Sequence, residues 1–236
     1  PKMKRPDFNE KGKQVIEKCE LQASRIDDGI RLLETDDTIF EAFCFMNQAM
    51  FKQRAINAFS LKNGRGIICN LREELDKDNS EWRAFQIAFI LLNLTGITNY
   101  KSDFRNYVDL LYFPTGGGKT EAYLGLMAFL MGYRRMTNDE SEPYNKDGGV
   151  TIILRYTLRL LTTQQRDRLT KMIVAAEIIR RRKVLKGDYS LGTETFSIGF
   201  YVGGSVTPNG FKDFKNTDSE PEKFSQSISR LNNQLI

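Results

Sequence analysis

The chain reads as an α/β protein: a parallel sheet with helices on both faces, preceded by a mainly helical region. Three observations give that class. Before about residue 105, apolar residues recur at helical spacing. After it, apolar segments of strand length alternate with long helical ones, the pattern of a parallel sheet with crossover helices. Between the first of those strands and the first of those helices lies Phe113-Pro114-Thr115-Gly116-Gly117-Gly118-Lys119-Thr120, a glycine-rich turn of the kind that cradles phosphate. Two regions follow: a helical one over 1–105, and a partial nucleotide-binding α/β domain over 106–236.

Cys19, Ala23, Ile26, Ile30 and Leu33 fall on one helical stripe. Asp37 is a candidate cap for a second helix carrying Ile39, Phe43, Met46 and Met50, which Phe40, Phe45 and Phe51 widen into a face for burial. Residues 62–78 are polar and contain glycine, as a loop would. Ser80 can cap a helix of Trp82, Phe85, Ile87, Ala88, Ile90, Leu91 and Leu94. Strands are expected near 107–113, 150–155 and 196–202, and helices near 118–135 and 158–185. The stretch 137–149 is a polar connection, 205–225 is polar, and a last helix is expected at 221–235. Arg180-Arg181-Arg182-Lys183 lies at the end of a long helix, where cations complement the helix dipole.

Composition narrows the chemistry. The 236 residues hold 40% hydrophobic and 28% charged side chains, the balance of a globular protein. No run of about 18 apolar residues occurs, so no membrane span is expected. Cys19, Cys44 and Cys69 are too widely spaced for a zinc site or a disulfide framework and are expected to be reduced, buried thiols of a cytoplasmic protein. Histidine is absent, which excludes His-dependent triads and His metal sites within this sequence. Phosphoryl transfer needs none, because it relies on positioning, Mg²⁺ and fixed positive charge. A net charge of +5 permits a polyanionic partner but would also suit a solvated surface.

The turn at 113–120 fits nucleotide binding. Asp109-Leu110-Leu111-Tyr112-Phe113 is apolar after its acid, as a buried strand is, and Glu121 to Leu130 continues as an apolar helix. Gly116, Gly117 and Gly118 allow backbone N–H groups to converge on phosphate oxygens, with Thr115 at the loop's entry. The helix start adds its unpaired N–H groups and the positive end of its dipole. Lys119 would reach the β- and γ-phosphates of ATP, and the Thr120 hydroxyl would ligate Mg²⁺. The full pattern wants glycine where Phe113 stands.

Three further stations accompany it. Arg83-Ala84-Phe85-Gln86 lies one helix upstream, and a Gln amide offers both a donor and an acceptor to a base edge. Arg155, Thr157 and Arg159 follow the second expected strand, on the sheet edge where ligands bind in open α/β folds. A guanidinium and a hydroxyl there can hold backbone phosphates; an ordinary helix start with solvated arginine would look the same. Gly203-Gly204 ends the third expected strand.

Taken together, these stations resemble the superfamily 2 helicases of bacterial anti-phage islands, where the loop takes the form Pro-Thr-Gly-x-Gly-Lys-Thr. Phe113 to Gly125, Arg155-Tyr-Thr-Leu-Arg-Leu-Leu-Thr162 with Gln164-Gln165, and Ser197 to Gly203 with Thr207-Pro208-Asn209 carry the likeness. It is strongest to the helicase of the DISARM defence system, with the Druantia helicase as a relative, and spans roughly residues 40–210. The resemblance implies a RecA-like fold for the second region and an ATP-driven, Mg²⁺-dependent motor. It implies adenine recognition by Arg83 and Gln86, and DNA contacts from Arg155, Thr157, Arg159, Gly203 and Gly204 to a single strand or a duplex with a single-stranded end. It also implies a DrmB-like partner protein. No acidic Walker B motif follows an apolar strand after Gly204, so these residues alone are expected to lack hydrolysis. The alternatives are a P-loop ATPase that switches without translocating on nucleic acid, and a degenerate interaction module.

Overall fold

Helices account for the regular structure of the described residues. The computed structural model of the chain describes residues 6–77, 81–114, 116–137, 146–155 and 159–199. In order come α1 (Pro6–Thr35), α2 (Asp37–Gly64), the short α3 (Leu71–Leu75), α4 (Ala84–Thr98), a 3-10 turn (Asp103–Asn106), α5 (Lys119–Met136) and α6 (Arg159–Leu185).

Helix α2 is the central element and lies against α5 and α6, while α1 lies against α4. Its start is fixed by Asp36, one residue before the expected cap, whose carboxylate accepts the Ile39 N–H at 2.9 Å. One apolar cluster draws Ile39, Phe45, Met46 and Met50 of α2 together with Ile90 and Leu94 of α4, Leu124 and Phe129 of α5, and Met172 and Ile179 of α6. Glycines set how closely the helices approach. A Cβ on Gly29 would stand 2.2 Å from the Leu91 carbonyl oxygen, and one on Gly132 would stand 2.5 Å from the Phe45 ring.

The expected parallel sheet with helices on both faces, and with it the RecA-like half-domain, is not found: no strand occurs among the described residues. The described parts of the segments expected as strands, 107–113, 150–155 and 196–199, form no ladder, and 200–202 lie outside the described residues. Strand propensity reflects fit to a pleated, half-buried surface; a strand exists only when a neighbour takes its backbone groups. Side chains of α5 and α6 instead hold the turns that lead into the second and third of these segments. Arg134 donates to the Gly148 carbonyl at 2.7 Å and to the Thr151 hydroxyl at 2.7 Å. Arg135, buried against the Phe196 ring with its guanidinium carbon 3.8 Å from the centroid, donates to the carbonyls of Leu191 at 3.0 Å and of Glu194. Arg180 donates to the Thr193 carbonyl at 3.0 Å, and Glu177 accepts the Phe196 N–H at 3.1 Å.

Arg180 is therefore a buried member of a network and not only a cation at a helix end; it also donates to Glu177 at 2.7 and 2.8 Å. Burial alone would raise the Glu177 carboxyl, but hydrogen bonds from Arg180, Arg181 and the Phe196 N–H override it and hold the group at about 2.

The first extended segment keeps a period of two. Asp109 and Leu111 turn toward the helices, while Val108, Leu110 and Tyr112 turn outward and are almost wholly exposed. Asp109 is anchored by Arg25 of α1 in a two-pronged pair at 2.6 and 2.8 Å. Arg25 is itself buried, with the Phe104 ring 4.8 Å away. The expected stripe on α1 is displaced accordingly: Arg25, Ile26, Gly29, Leu32 and Leu33 face inward, and Cys19, Ala23 and Ile30 face water. All three cysteines are free, and none is fully buried.

Candidate functional site: the glycine loop at the start of the fifth helix

Helix α5 begins at Lys119, where the sequence places the end of the phosphate-cradling turn. Gly118 takes the N-cap position with φ 92°, and Gly116 has φ 79°; both are left-handed conformations that a side chain strains. The turn closes through the Gly117 N–H, which donates to the Pro114 carbonyl at 3.1 Å. Lys119 folds back over it, its Nζ donating to the carbonyls of Phe113 and, at 3.1 Å, of Pro114.

Arg83 and Gln86, over thirty residues earlier in sequence, meet this loop directly. Arg83 Nη1 donates to the Gly117 carbonyl at 2.7 Å, and Gln86 Nε2 donates to the Gly118 carbonyl at 2.8 Å. Gln86 is buried at the third position of α4, and its Oε1 accepts the Arg83 N–H at 2.9 Å. Both ends of its amide are thus engaged by the protein. A Cβ on Gly118 would stand 2.7 Å from Gln86 Nε2, so glycine is needed there for space as well as for conformation. Phe113, where the full pattern has glycine, stacks on Phe85 of α4 with centroids 3.9 Å apart. The bulky residue thereby ties the loop's entry to the helix that carries Gln86.

From the other side α6 reaches the first turn of α5. Gln165 Nε2 stands 3.5 Å from the Thr120 hydroxyl, and Arg168 Nη1 pairs with Glu121 Oε1 at 3.1 Å. Sequence reading did not single out Phe85, Glu121, Gln165 or Arg168 as site residues. The available signal was spacing: Gln165 and Arg168 are three apart on one helix face, and their partners are consecutive at a helix start.

The remaining expected site residues are not gathered here. Arg155 is exposed at the end of an extended segment, and Arg159 begins α6 with its side chain outside the described part. Thr115, Thr157, Gly203 and Gly204 lie outside the described residues.

A loop with two left-handed glycines, a lysine across it and a helix N-terminus behind it suits a polyphosphate by its chemistry. No cluster of carboxylate, thiol or imidazole groups able to hold a metal by itself occurs among the described residues; Thr120, at the second position of α5, carries a hydroxyl of the kind that ligates Mg²⁺ beside a nucleotide. No helix among the described residues is long and apolar enough to cross a membrane.

No protein-family model matches the chain. A curated protein does, at 48% identity over 227 residues. The chain is similar to DrmA. The relative is the DISARM protein DrmA of Bacillus paralicheniformis, and the match covers 94% of this chain. It covers 20% of DrmA, so the chain spans about a fifth of the length of the curated relative it matches. The resemblance carried by the glycine loop and its companion stations is to this protein, and both loop and stations lie within a chain matched to DrmA almost throughout.

Proposed function

We propose that this chain is the nucleotide-loop segment of a DISARM phage-defence protein, an ATP-dependent motor of helicase type that acts on DNA. One observation carries the reading: the glycine loop at 116–118 ends in the left-handed cap of α5, with Lys119 and Thr120 as that helix's first two residues. That arrangement puts helix-start N–H groups and a lysine beside one loop, which favours a polyphosphate. The likeness to the DISARM protein DrmA supports the defence role.

In this reading Gly116, Gly117, Gly118 and Lys119 hold the phosphates of ATP, with Thr115 at the loop's entry, and Thr120 ligates Mg²⁺. Bound Mg²⁺ would neutralise the charge that develops on the transferring phosphoryl group. Arg83 and Gln86 border the nucleotide pocket and brace the loop; with both ends of its amide bonded, Gln86 acts on nucleotide binding through the loop and not by reading adenine. Arg155, Thr157 and Arg159, with Gly203 and Gly204, contact DNA backbone, and a DrmB-like protein is the partner.

The decisive experiment is Lys119→Ala in the full-length protein. ATP hydrolysis should fall to background, because the fixed positive charge at the phosphoryl group is lost. Wild-type turnover in a folded variant would refute the site. Stimulation of hydrolysis by DNA separates a motor from a nucleotide switch, whose turnover would be indifferent to nucleic acid.

A further inference from the structure

We propose that Arg168 is a positioning residue of the nucleotide site, holding and neutralising a carboxylate, that of Glu121, which would otherwise oppose phosphate binding. The proposal rests on the reading of the glycine loop as a nucleotide site.

Glu121 sits in the first turn of α5, where a carboxylate is favoured by the helix dipole. The same turn is where a polyphosphate would lie, so the two anions compete for one field. The carboxylate faces the loop: its Oε2 stands 3.5 Å from the position a Cβ on Gly118 would occupy. That oxygen is shielded from solvent and has no hydrogen-bond partner, while Oε1 is held by Arg168 at 3.1 Å. A negative charge therefore borders Gly118; the Arg83 guanidinium lies near the same point, its Nη1 3.9 Å from that Cβ position, but the guanidinium paired directly with the carboxylate is Arg168, brought from α6.

The pair is a poor candidate for a purely structural role. Its side chains are 46% and 40% exposed, and ion pairs so open to water contribute little to stability. A charge beside a bound polyanion matters more, because repulsion acts on every phosphate within a Debye length. One turn earlier on α6, Gln165 meets Thr120, so α6 touches both residues that follow Lys119.

The test is titration of the full-length protein with a fluorescent ATP analogue and Mg²⁺, alongside Lys119→Ala. Arg168→Ala should weaken binding about three- to tenfold at low salt, the range for one uncompensated charge near the surface, and less at high salt. Arg168→Lys, which keeps the charge, should stay close to wild type. The double variant Arg168→Ala/Glu121→Gln should recover the affinity, because the carboxylate charge has gone as well. Wild-type affinity in Arg168→Ala, or a double variant as weak as the single one, overturns the proposal. If Lys119→Ala weakens binding and Arg168→Ala does not, only the Arg168 assignment falls. If Lys119→Ala binds like wild type, the loop reading fails and takes the assignment with it.

Discussion

Replacing Gln86 by alanine should loosen the glycine loop before it alters the choice of nucleotide. The side chain is 5% exposed and spends its amide on two bonds, one from the Arg83 N–H at 2.9 Å and one to the Gly118 carbonyl at 2.8 Å. Alanine removes both. At about 1 kcal/mol net for each bond, the loop loses about 2 kcal/mol of support. Local opening should then be about 30-fold more frequent, since 1.4 kcal/mol corresponds to a factor of ten. Amide hydrogen exchange of the full-length protein without nucleotide measures this directly, in peptides covering 116–120. Affinities for ATP and GTP should fall by a common factor, because the phosphates that meet the loop are the same in both. Unchanged exchange, with ATP weakened and GTP unaffected, would refute the bracing role and return Gln86 to base recognition alone.

Three further outcomes are expected. Glu177 titrates at about 2 when folded, against an ordinary 4.5. A depressed folded value means its contribution, at most about 3 kcal/mol, is complete above pH 4.5 and lost as pH falls toward 2. Denaturant unfolding across that window should show the loss, and Glu177→Gln should flatten it; Asp188, also held at about 2, chiefly by Lys183, adds a smaller effect because it is more exposed. Gly29→Ala should destabilise by about 1–3 kcal/mol, because its Cβ would meet the Leu91 carbonyl at 2.2 Å and backbone cannot step aside; an unchanged denaturation midpoint would contradict the close crossing of α1 and α4. Arg159→Ala should weaken single-stranded DNA binding equally across sequences and lower the salt slope of log K by about 0.7; an unaltered slope would remove Arg159 from the DNA surface.

The helices were readable because their signals are local. Apolar spacing placed α2, α4, α5 and α6 within a few residues of where they lie, and the glycines before Lys119 marked the start of α5. The inward face of α1 was not readable, because Arg25 looks like a solvated residue until its partner, Asp109, is brought to it from 84 positions away. The strands failed for a related reason. Residues 107–113 have strand composition, but pairing is a property of two segments, and no ladder forms among the described residues. At the site, the resemblance implied that Arg83 and Gln86 serve the same nucleotide as the glycine loop, by reading its adenine. It could not say that they grip the carbonyls of Gly117 and Gly118, nor that α6 would deliver Gln165 and Arg168 to the next two residues.

The outward row of Val108, Leu110 and Tyr112 bears on how freely this sequence can vary. A side chain as wet after folding as before it gains no transfer free energy, so its identity is invisible to the stability of the helical body. Threonine or lysine at these three positions would leave the unfolding equilibrium where it is and would make the surface less adhesive. Asp109, between them, has no such latitude, because removing its carboxylate would strand a buried guanidinium. Neighbouring residues on one extended segment are thus governed by opposite rules, one set by solubility and the other by the interior.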